Sequence, residues 1–500
     1  MRSLMNSSSP RSTGAGSTRV PWIGRFGARP PQVALVVDHP ARDLGGLVLT
    51  ATELCRQGIT CHLVPLNLMH DQLWTLAPDL VVLNYARPGH ARLARDLIDA
   101  GIRVGILDTE GAAWETAEAY SELLWTDRTL FRRLSFVCMW GPVLARHLED
   151  LGLVTDGQLA VTGCPRFDFY HPSWRRAFDD GPATDRPVLL INTNFSYSNP
   201  RFASVARNRE HLQQELGLSG DRLEAYGAAE QSAMRGMIEL ARSLAGDFPA
   251  CDVVLRPHPF ESHAPYVGAL GKTAGVTIDG DGPVQPRLFA ARAVIQRSCS
   301  TAAEAAMAGV PTLSPQWLPA PAVVGFAEAV SIPCTSYAQL RERVGAIVGG
   351  SDGEGLAATG ARGCLADWFG PLDGQAHRRV AETILQHLPA TRTVDARRCL
   401  AQLYRLDEPG HSRGQRLAAR IRYRLRLSPA WAFRHWRVAD GREWLRSDKA
   451  FGAADVAALA QRIARAADAG QLHTTIRPAP GTNPHGASIP SHSVTLEPGA

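Results

Sequence analysis

The strongest constraint on the fold is an alternation of short apolar runs with longer amphipathic stretches, which begins at Val33. The run VALVV at 33–37 is rich in β-branched residues, and the stretch from Asp43 to Gln57 has the apolar spacing of a helix. Repeated strand–helix units of this kind build a parallel sheet with helices on its faces. Further strands are predicted at 59–64, 80–84, 102–107, 135–140 and 158–163, and further helices at 90–100 and 143–152.

The alternation starts again after a polar stretch, rich in Pro and Asp, at 171–187. The second set of predicted strands lies at 188–194, 251–258 and 293–298, with helices at 225–246, 286–292 and 301–308. The predicted fold class is therefore α/β, with two Rossmann-like doubly wound domains that face each other across a cleft and a mainly helical C-terminal extension. Such a cleft is a common ligand site, because the carboxyl ends of parallel strands open into it.

Domain boundaries follow from the same patterns and from local composition. A Ser-, Gly- and Arg-rich leader at 1–30 and a Pro-, Gly- and Ser-rich tail at 475–500 are predicted to be disordered. The N-terminal Rossmann-like domain is predicted at 31–170 and the C-terminal one at 186–390. A basic helical extension is predicted at 400–470.

The composition is that of an ordinary soluble globular protein, with 45% hydrophobic and 20% charged residues in 500. No run of 18 or more uncharged apolar residues occurs, so no membrane-spanning helix is predicted. The nine cysteines are scattered and form no C-x-x-C motif, which argues against a disulfide framework and against a zinc site. A reducing cytoplasm is the expected compartment.

The net charge of +5 is unevenly distributed along the chain. Residues 401–450 carry twelve Arg or Lys against five Asp or Glu, so the remainder of the chain is close to neutral. A broad basic face for nucleic acid is therefore not expected on the two domains. The segment 420–437 interleaves Arg with aromatic and aliphatic residues, which predicts peripheral contact with an anionic membrane surface. A solvated Arg-rich helix packed on the body is an equally good interpretation.

The first candidate site is the motif R-P-H-P at 256–259, which ends a predicted strand. His258 can donate a ring N–H to a phosphate there, with Arg256 as a second cationic donor. A solvated strand end is the structural alternative. His39 also follows a predicted strand and competes for the same role.

The second candidate site is the motif S-C-S-T at 298–301, between a strand and a helix. The hydroxyl groups of Ser298, Ser300 and Thr301, together with free backbone N–H groups, are suited to a phosphate. A capping box between Thr301 and Glu304 would explain these two residues by helix stability alone. The two interpretations are compatible, because Thr301 can cap the helix while its neighbours bind.

The third candidate site is D-T-E-G at 108–111, which closes a strand of the first domain. A carboxylate of Asp108 or Glu110 would point into the cleft as a general base, and Gly111 would let a substrate approach the backbone. The structural alternative is an acidic turn. A D-x-D pattern at Asp279 and Asp281 is more typical of a turn than of a metal site, so no metal is predicted.

The order of these motifs resembles a known family. The acidic residue before glycine is followed by a G-x-P-R-x-D junction (Gly163, Pro165, Arg166, Asp168), by R-P-H-P, and by a hydroxyl pair that opens a helix. This order is similar to that of GT-B glycosyltransferases of the bacterial surface carbohydrate (polysaccharide) biosynthesis family. These are related to polysialyl-, 3-deoxy-manno-octulosonic acid- and teichoic-acid-type transferases, and the similarity covers residues 31–390.

The resemblance implies transfer of a sugar from a nucleotide-activated donor to a surface polysaccharide or lipid-linked glycan. It favours a CMP- or CDP-linked donor over a UDP-linked one. Glu110 matches the general base of the acceptor domain. His258, Ser300 and Thr301 match groups of the donor domain that hold the nucleotide phosphates, and Arg42 matches a position at the cleft. The nucleotide sugar is a co-substrate, and no further cofactor is implied.

Three alternatives stay open at this point. A nucleotide-sugar epimerase and a CDP-glycerol-type glycerophosphotransferase share the predicted architecture. A GT-B scaffold without turnover would share it as well. If Glu110 is not the base, Asp108 and Asp38 are the next candidates by position.

Overall fold

The computed structural model describes residues 30–85, 87–111, 116–179, 181, 185–216, 220–350, 358–406, 412–424, 449–467, 474–479 and 493–499. The predicted leader lies almost wholly outside these residues, and so does the part of the basic-aromatic segment beyond residue 424.

Parallel strands form the centre of two separate sheets. The first sheet contains β1 (Gln32–Val37), β2 (Thr60–Pro65), β3 (Leu80–Leu83), β4 (Arg103–Leu107), β5 (Phe136–Met139) and β6 (Leu159–Val161). The second contains β7 (Val188–Asn192), β8 (Asp252–Arg256), β9 (Val276–Ile278), β10 (Ala291–Gln296), β11 (Thr312–Pro315) and β12 (Ile332–Cys334). Two strands from the end of the chain, β13 (Thr474–Pro478) and β14 (Val494–Pro498), join the first sheet. The strand orders are β13-β14-β2-β1-β3-β4-β5-β6 and β12-β11-β10-β7-β8-β9.

Helices surround both sheets. Those around the first sheet are α1 (Gly45–Arg56), α2 (Met69–Leu76), α3 (Pro88–Asp99), α4 (Ala117–Leu124), α5 (Arg128–Phe131) and α6 (Pro142–Asp150). The junction and the second half contain α7 (Pro172–Arg175), α8 (Val205–Leu216), α9 (Gly220–Asp247), α10 (Ala264–Leu270), α11 (Gln285–Ala290), α12 (Thr301–Met307), α13 (Gly325–Ala329), α14 (Tyr337–Val348) and α15 (Ala358–Phe369). A π-helical turn at Pro40–Leu44 and 3-10 helices at Leu66–Leu68 and Pro165–Tyr170 complete this part.

The two faces of each sheet bury different hydrophobic clusters, as expected for doubly wound domains. In β1, Val33 and Leu35 join one cluster while Ala34 and Val36 join the other, because alternate side chains point to opposite faces. In β7, Leu190 likewise faces a different cluster from its neighbours. The prediction of two doubly wound α/β domains is confirmed.

The described residues of the C-terminal part are mainly helical, as predicted, with α16 (Ala376–His387), α17 (Ala396–Tyr404), α18 (Arg413–Arg424) and α19 (Ala453–Ala466). Helix α16 lies in the range predicted for the second domain, yet its Val380 and Ile384 are buried in a cluster of the first sheet. The chain therefore returns to the first domain before residue 390.

The tail contradicts one prediction. Residues 475–500 were expected to be disordered, but β13 and β14 form an antiparallel pair, and β14 pairs with β2. Val494 and Leu496 are fully buried in this part of the sheet. The apolar residues of the VTL sequence therefore favour a strand, although the sequence around them is rich in Pro and Gly. No helix in the described part of the chain is long and apolar enough to span a bilayer.

Candidate functional site

A cavity of about 380 Å³ lies between the carboxyl ends of the two parallel sheets. We call this cavity the cleft. Most of the predicted site residues line it: His39, Arg42, Glu110, Arg256, His258, Ser298, Ser300, Thr301 and Glu304. The fold therefore brings together turns that follow β1, β4, β8 and β10, which are far apart in sequence.

Glu110 lies in the turn after β4 and forms an ion pair with Arg87. Arg87 is the N-cap residue of α3, and its guanidinium lies 4.3 Å from the ring centroid of Tyr85. Both members of the pair are partly buried. The pair is a contact of the deprotonated carboxylate, which is the form that accepts a proton.

Asp108 lies directly behind Glu110 and is 1% exposed. Its Oδ1 accepts a hydrogen bond of 2.9 Å from the backbone N–H of Glu110, and Tyr120 donates its phenolic hydrogen to Oδ2. Burial raises the pKa of Asp108 to about 6, although the hydrogen bond from Tyr120 opposes that rise. A Cβ at Gly111 would lie 3.0 Å from the Trp140 indole. The space left by the missing side chain is therefore occupied by this indole and not left open for a substrate.

Arg42 is the centre of a buried charge network on the first wall of the cleft. It pairs with Asp38 through Nη2 and with Asp43 through Nε, the latter at 3.0 Å. The ammonium of Lys449 lies 2.9 Å from Asp38, and Arg166 lies 3.6 Å from Asp43. Burial alone would raise the pKa of Asp38, but Arg42 and Lys449 outweigh it and lower that pKa. A carboxylate that two cations hold is a poor proton acceptor, so Asp38 is a weak candidate for a general base.

His39 connects the two halves across the cleft. Its backbone N–H donates to Oδ2 of Asp43 at 3.2 Å, which holds the turn after β1. Its ring centroid lies 6.2 Å from that of Phe260, which belongs to the loop after β8. The aromatic contact places this competing histidine against the R-P-H-P loop itself.

His258 has a defined ring orientation. Its Nδ1 accepts a hydrogen bond of 3.2 Å from the backbone N–H of Phe260, so the neutral ring carries its proton on Nε2. Glu261 holds the loop, because its carboxylate accepts hydrogen bonds from the backbone N–H of His258 at 2.9 Å and from the hydroxyl of Thr193 at 2.8 Å. Glu261 is fully buried, and burial raises its pKa.

Arg256 makes contacts that differ from the expected ones. Its guanidinium donates to the backbone carbonyls of Asp279, Asp281 and Gly282, the first at 3.4 Å and the second at 3.1 Å. The side chain of Asp279 pairs with Arg287. Arg256 therefore holds the loop that contains the D-x-D pattern against the end of β8, while it also lines the cleft.

Ser298 and Ser300 differ in what their hydroxyl groups contact. Ser298 has a φ of 55°, in the left-handed region, and its Oγ accepts a hydrogen bond of 2.9 Å from the backbone N–H of Val324. Non-glycine residues in this region often mark functional loops. Ser300 is the N-cap residue of α12 without a side-chain capping bond, and it lines the cleft.

The capping box considered for Thr301 and Glu304 does not form. Helix α12 begins at Thr301, the predicted first residue, so its N-cap is Ser300 and Thr301 is already inside the helix. The hydroxyl of Thr301 instead accepts a hydrogen bond of 3.0 Å from Asn192. Glu304 accepts one of 2.5 Å from the phenol of Tyr170, which comes from the junction between the two halves.

Several buried polar residues of the cleft were missed by the motif analysis. Among the described residues, Thr109, Arg166, Asn192 and Gln285 each have a buried polar atom without a hydrogen-bond partner, and each residue is less than 10% exposed. Arg166 belongs to the G-x-P-R-x-D junction, and the sequence alone indicates no role for its side chain. Its guanidinium lies 4.7 Å from the Trp140 ring. Such groups are commonly satisfied by a polar ligand or by ordered water.

Within the described residues, no group of three or more His, Cys, Asp or Glu side chains is arranged to hold a metal ion. No family model and no curated protein sequence matches the chain.

Several solved structures resemble this chain in structure but share little sequence identity with it. One, from Listeria monocytogenes, is provisionally described as a UDP-N-acetylglucosamine 2-epimerase (15% identity, 73% of this chain and 99% of that chain, TM-score 0.47). Another is UDP-GlcNAc 2-epimerase from Neisseria meningitidis bound to UDP-GlcNAc (13%, 71% and 100%, TM-score 0.44). A third is a variant of the wall teichoic acid polymerase TagF (9%, 72% and 89%, TM-score 0.47).

Proposed function

We propose that the protein is a glycosyltransferase that moves a sugar from a nucleotide-activated donor to a surface polysaccharide or lipid-linked glycan. One observation carries the proposal: Glu110 from the first sheet and His258 and Ser300 from the second line the same cavity. Glycosyl transfer from a nucleotide needs a group that takes a proton from the acceptor and groups that stabilise the leaving phosphate. The first wall of the cleft supplies the proton acceptor, and the second wall supplies the groups that stabilise the phosphate.

The second wall is the donor side of the proposed mechanism. The Nε2–H of His258 and the hydroxyl of Ser300 donate hydrogen bonds to the phosphate of the leaving nucleotide. Glu304 and Oδ1 of Asn192 are acceptors on the same wall and suit the hydroxyls of a ribose. Arg256 acts indirectly, through the loop that it holds. These donors meet the charge that develops on the leaving group, so no step is assigned to a metal ion.

The first wall is the acceptor side. Glu110 takes the proton from an acceptor hydroxyl as its oxygen attacks the anomeric carbon of the donor sugar, and the bond from that carbon to the nucleotide phosphate breaks. Arg87 orients the carboxylate of Glu110 through their ion pair. Asp108 holds the backbone of Glu110 by accepting a hydrogen bond from its N–H. Asp108 is therefore a positioning residue in this mechanism rather than the base.

Release of free nucleotide is the direct test of this reaction. The purified protein is incubated with CMP-, CDP- and UDP-linked sugars, with and without a panel of methyl glycosides as soluble acceptors. We expect acceptor-dependent release with at least one donor. Glu110→Gln should lower that rate at least ~100-fold and leave nucleotide affinity within about twofold of wild type. Glu122→Gln, an exposed change on α4, is the matched control and should keep the wild-type rate.

Other outcomes of the same assay contradict the proposal and identify the alternatives. Isomerised donor without any acceptor indicates an epimerase. Turnover of CDP-glycerol but of no nucleotide sugar indicates a glycerophosphotransferase. Absence of both nucleotide binding and release with every donor indicates a scaffold.

Peripheral contact with an anionic membrane, at the inner face of the cell membrane, is the second part of the proposal. Helix α18 supports it, because Leu417 is 60% exposed and Ile421 is 46% exposed, one turn apart, beside the exposed Arg413 and Arg420. An exposed apolar stripe flanked by arginine is typical of helices that lie on lipid. In vesicle sedimentation with anionic lipid, Leu417→Ser with Ile421→Ser should reduce binding, and equal binding by this variant would contradict the contact.

A further inference from the structure

A second cavity of about 260 Å³ opens beside the cleft, under the C-terminal helical part. We call it the side cavity. Ala41, Arg42 and Gln285 line both cavities, so the side cavity adjoins the cleft. Four separate parts of the chain build it: the turn after β1, the junction around Phe169, the start of α11 with the preceding Pro283, and the segment from Ala450 to Leu459.

The walls of the side cavity combine aromatic and polar groups. Phe169 and Phe178 pack edge to face, with centroids 4.7 Å apart, and Phe451 adds a third ring. Gln285 is 4% exposed, and within the described residues its Oε1 has no hydrogen-bond partner. A buried carbonyl oxygen of this kind needs a donor such as a hydroxyl. Asp455, from the C-terminal segment, adds a carboxylate to the lining.

The charges of the side cavity favour a neutral ligand. Arg42 is its cationic group, but Arg42 is already paired with Asp38 and Asp43. Asp455 accepts a hydrogen bond of 2.8 Å from the backbone N–H of Gly452 and keeps further acceptor capacity. An apolar wall with a few hydrogen-bonding groups and no surplus positive charge suits a ring that carries hydroxyls. A phosphate would find no uncompensated cation there.

We propose that the side cavity holds a neutral sugar ring of the glycan acceptor, next to the ring that reacts in the cleft. This inference rests on the proposed glycosyl transfer and adds that the C-terminal segment 450–459 forms one wall of the acceptor site. A glycan acceptor has to extend out of the cleft while its end reacts, and the side cavity adjoins the cleft at Arg42 and Gln285.

Ala458 allows a test that fills the side cavity from its outer wall. Ala458 is exposed on α19 and lines the cavity, so Ala458→Trp places an indole there without changing the core. Ala454→Trp is the matched control, because Ala454 is exposed on the same helix and is not among the residues that line the described cavity. Binding of methyl hexosides and methyl N-acetylhexosaminides is followed by saturation-transfer NMR, and binding of CDP by calorimetry.

We expect at least one methyl glycoside to bind the wild-type protein, and Ala458→Trp to weaken that binding at least tenfold. CDP affinity should stay within twofold of wild type in both variants, and Ala454→Trp should bind the glycoside normally. Wild-type glycoside binding in Ala458→Trp, or no glycoside binding to the wild-type protein, would overturn the inference. A parallel loss of CDP affinity would assign the side cavity to the nucleotide instead.

These outcomes are separate from failure of the proposed reaction. If glycoside binding responds to Ala458→Trp but no donor releases nucleotide with any acceptor, the sugar site stands and the transferase function is wrong. If nucleotide release depends on an acceptor but Ala458→Trp keeps the wild-type KM for it, the function stands and the side cavity is not the acceptor site.

Discussion

The ammonium of Lys449 lies 2.9 Å from Oδ1 of Asp38, although 411 residues separate them in the sequence. The same nitrogen lies 6.0 Å from the ring centroid of Phe260 in the second half. One residue of the C-terminal extension therefore contacts the turn after β1 and lies close to the loop after β8. Both of these elements line the cleft.

Loss of this ion pair should destabilise the fold measurably. Lys449→Met keeps the aliphatic stem but leaves the buried Asp38 with Arg42 alone, so we expect the free energy of unfolding to fall by about 1–3 kcal/mol. Urea denaturation at neutral pH measures this change in the free energy of unfolding. Lys272→Met, at an exposed position, is the control and should change stability by less than about 0.5 kcal/mol. Equal stability of Lys449→Met and wild type would mean that the extension is held by other contacts.

His258→Ala should weaken nucleotide binding. The variant loses a ring N–H that donates to a charged phosphate, which corresponds to about 1–3 kcal/mol of binding free energy in calorimetry with CDP or CMP. His147→Ala, on α6 and bonded to Ser121, should bind the nucleotide like wild type. Unchanged affinity in His258→Ala would show that the phosphate is held elsewhere.

Arg256→Lys separates two roles of this position. The lysine cannot reproduce the guanidinium contacts with three backbone carbonyls, so a loss of about 1–3 kcal/mol in stability is expected. The loop at 279–282 should become more sensitive to proteases. If stability is unchanged while nucleotide affinity falls sharply, Arg256 is a direct phosphate ligand, as its motif first suggested.

Asp108 should make stability depend on pH. Its pKa is raised to about 6 by burial, against an ordinary value of 3.8, so the folded protein holds the proton that the unfolded chain releases. The stabilisation is fully present below about pH 4 and is lost as the pH rises through 6, with a total near ~3 kcal/mol. The unfolding free energy of wild type minus that of Asp108→Asn should therefore fall over this range.

A control for the pH experiment comes from an exposed carboxyl group. Glu382→Gln, on the exposed face of α16, is compared with wild type over the same pH range. A difference for Asp108→Asn that does not vary with pH would mean that burial does not raise the pKa of Asp108.

The fold was predictable where the signal is local. The apolar runs that begin at Val33 and Val188 predicted central strands because a strand buried on both faces is apolar throughout. The tail strand β14 was missed because its pairing with β2 joins Thr495 to His62, and no local pattern encodes a partner so far away.

That most of the candidate residues line one cavity was also predictable, because the carboxyl ends of parallel strands meet at one edge. Their partners were not. Whether Arg256 reaches a phosphate or the carbonyls of its own loop depends on how residues 279–282 turn, and the hydrogen bond from Tyr170 to Glu304 depends on the path of the junction. The ion pair between Arg87 and Glu110 likewise joins turns after two different strands.

A crystal structure with bound nucleotide tests the central claim most directly, using whichever of CMP, CDP or UDP binds most tightly in calorimetry. The account predicts a phosphate within hydrogen-bond distance of Nε2 of His258 and Oγ of Ser300, with the carboxylate of Glu110 facing it from the other wall. A nucleotide bound outside the cleft, or one whose phosphates touch neither residue, would contradict it.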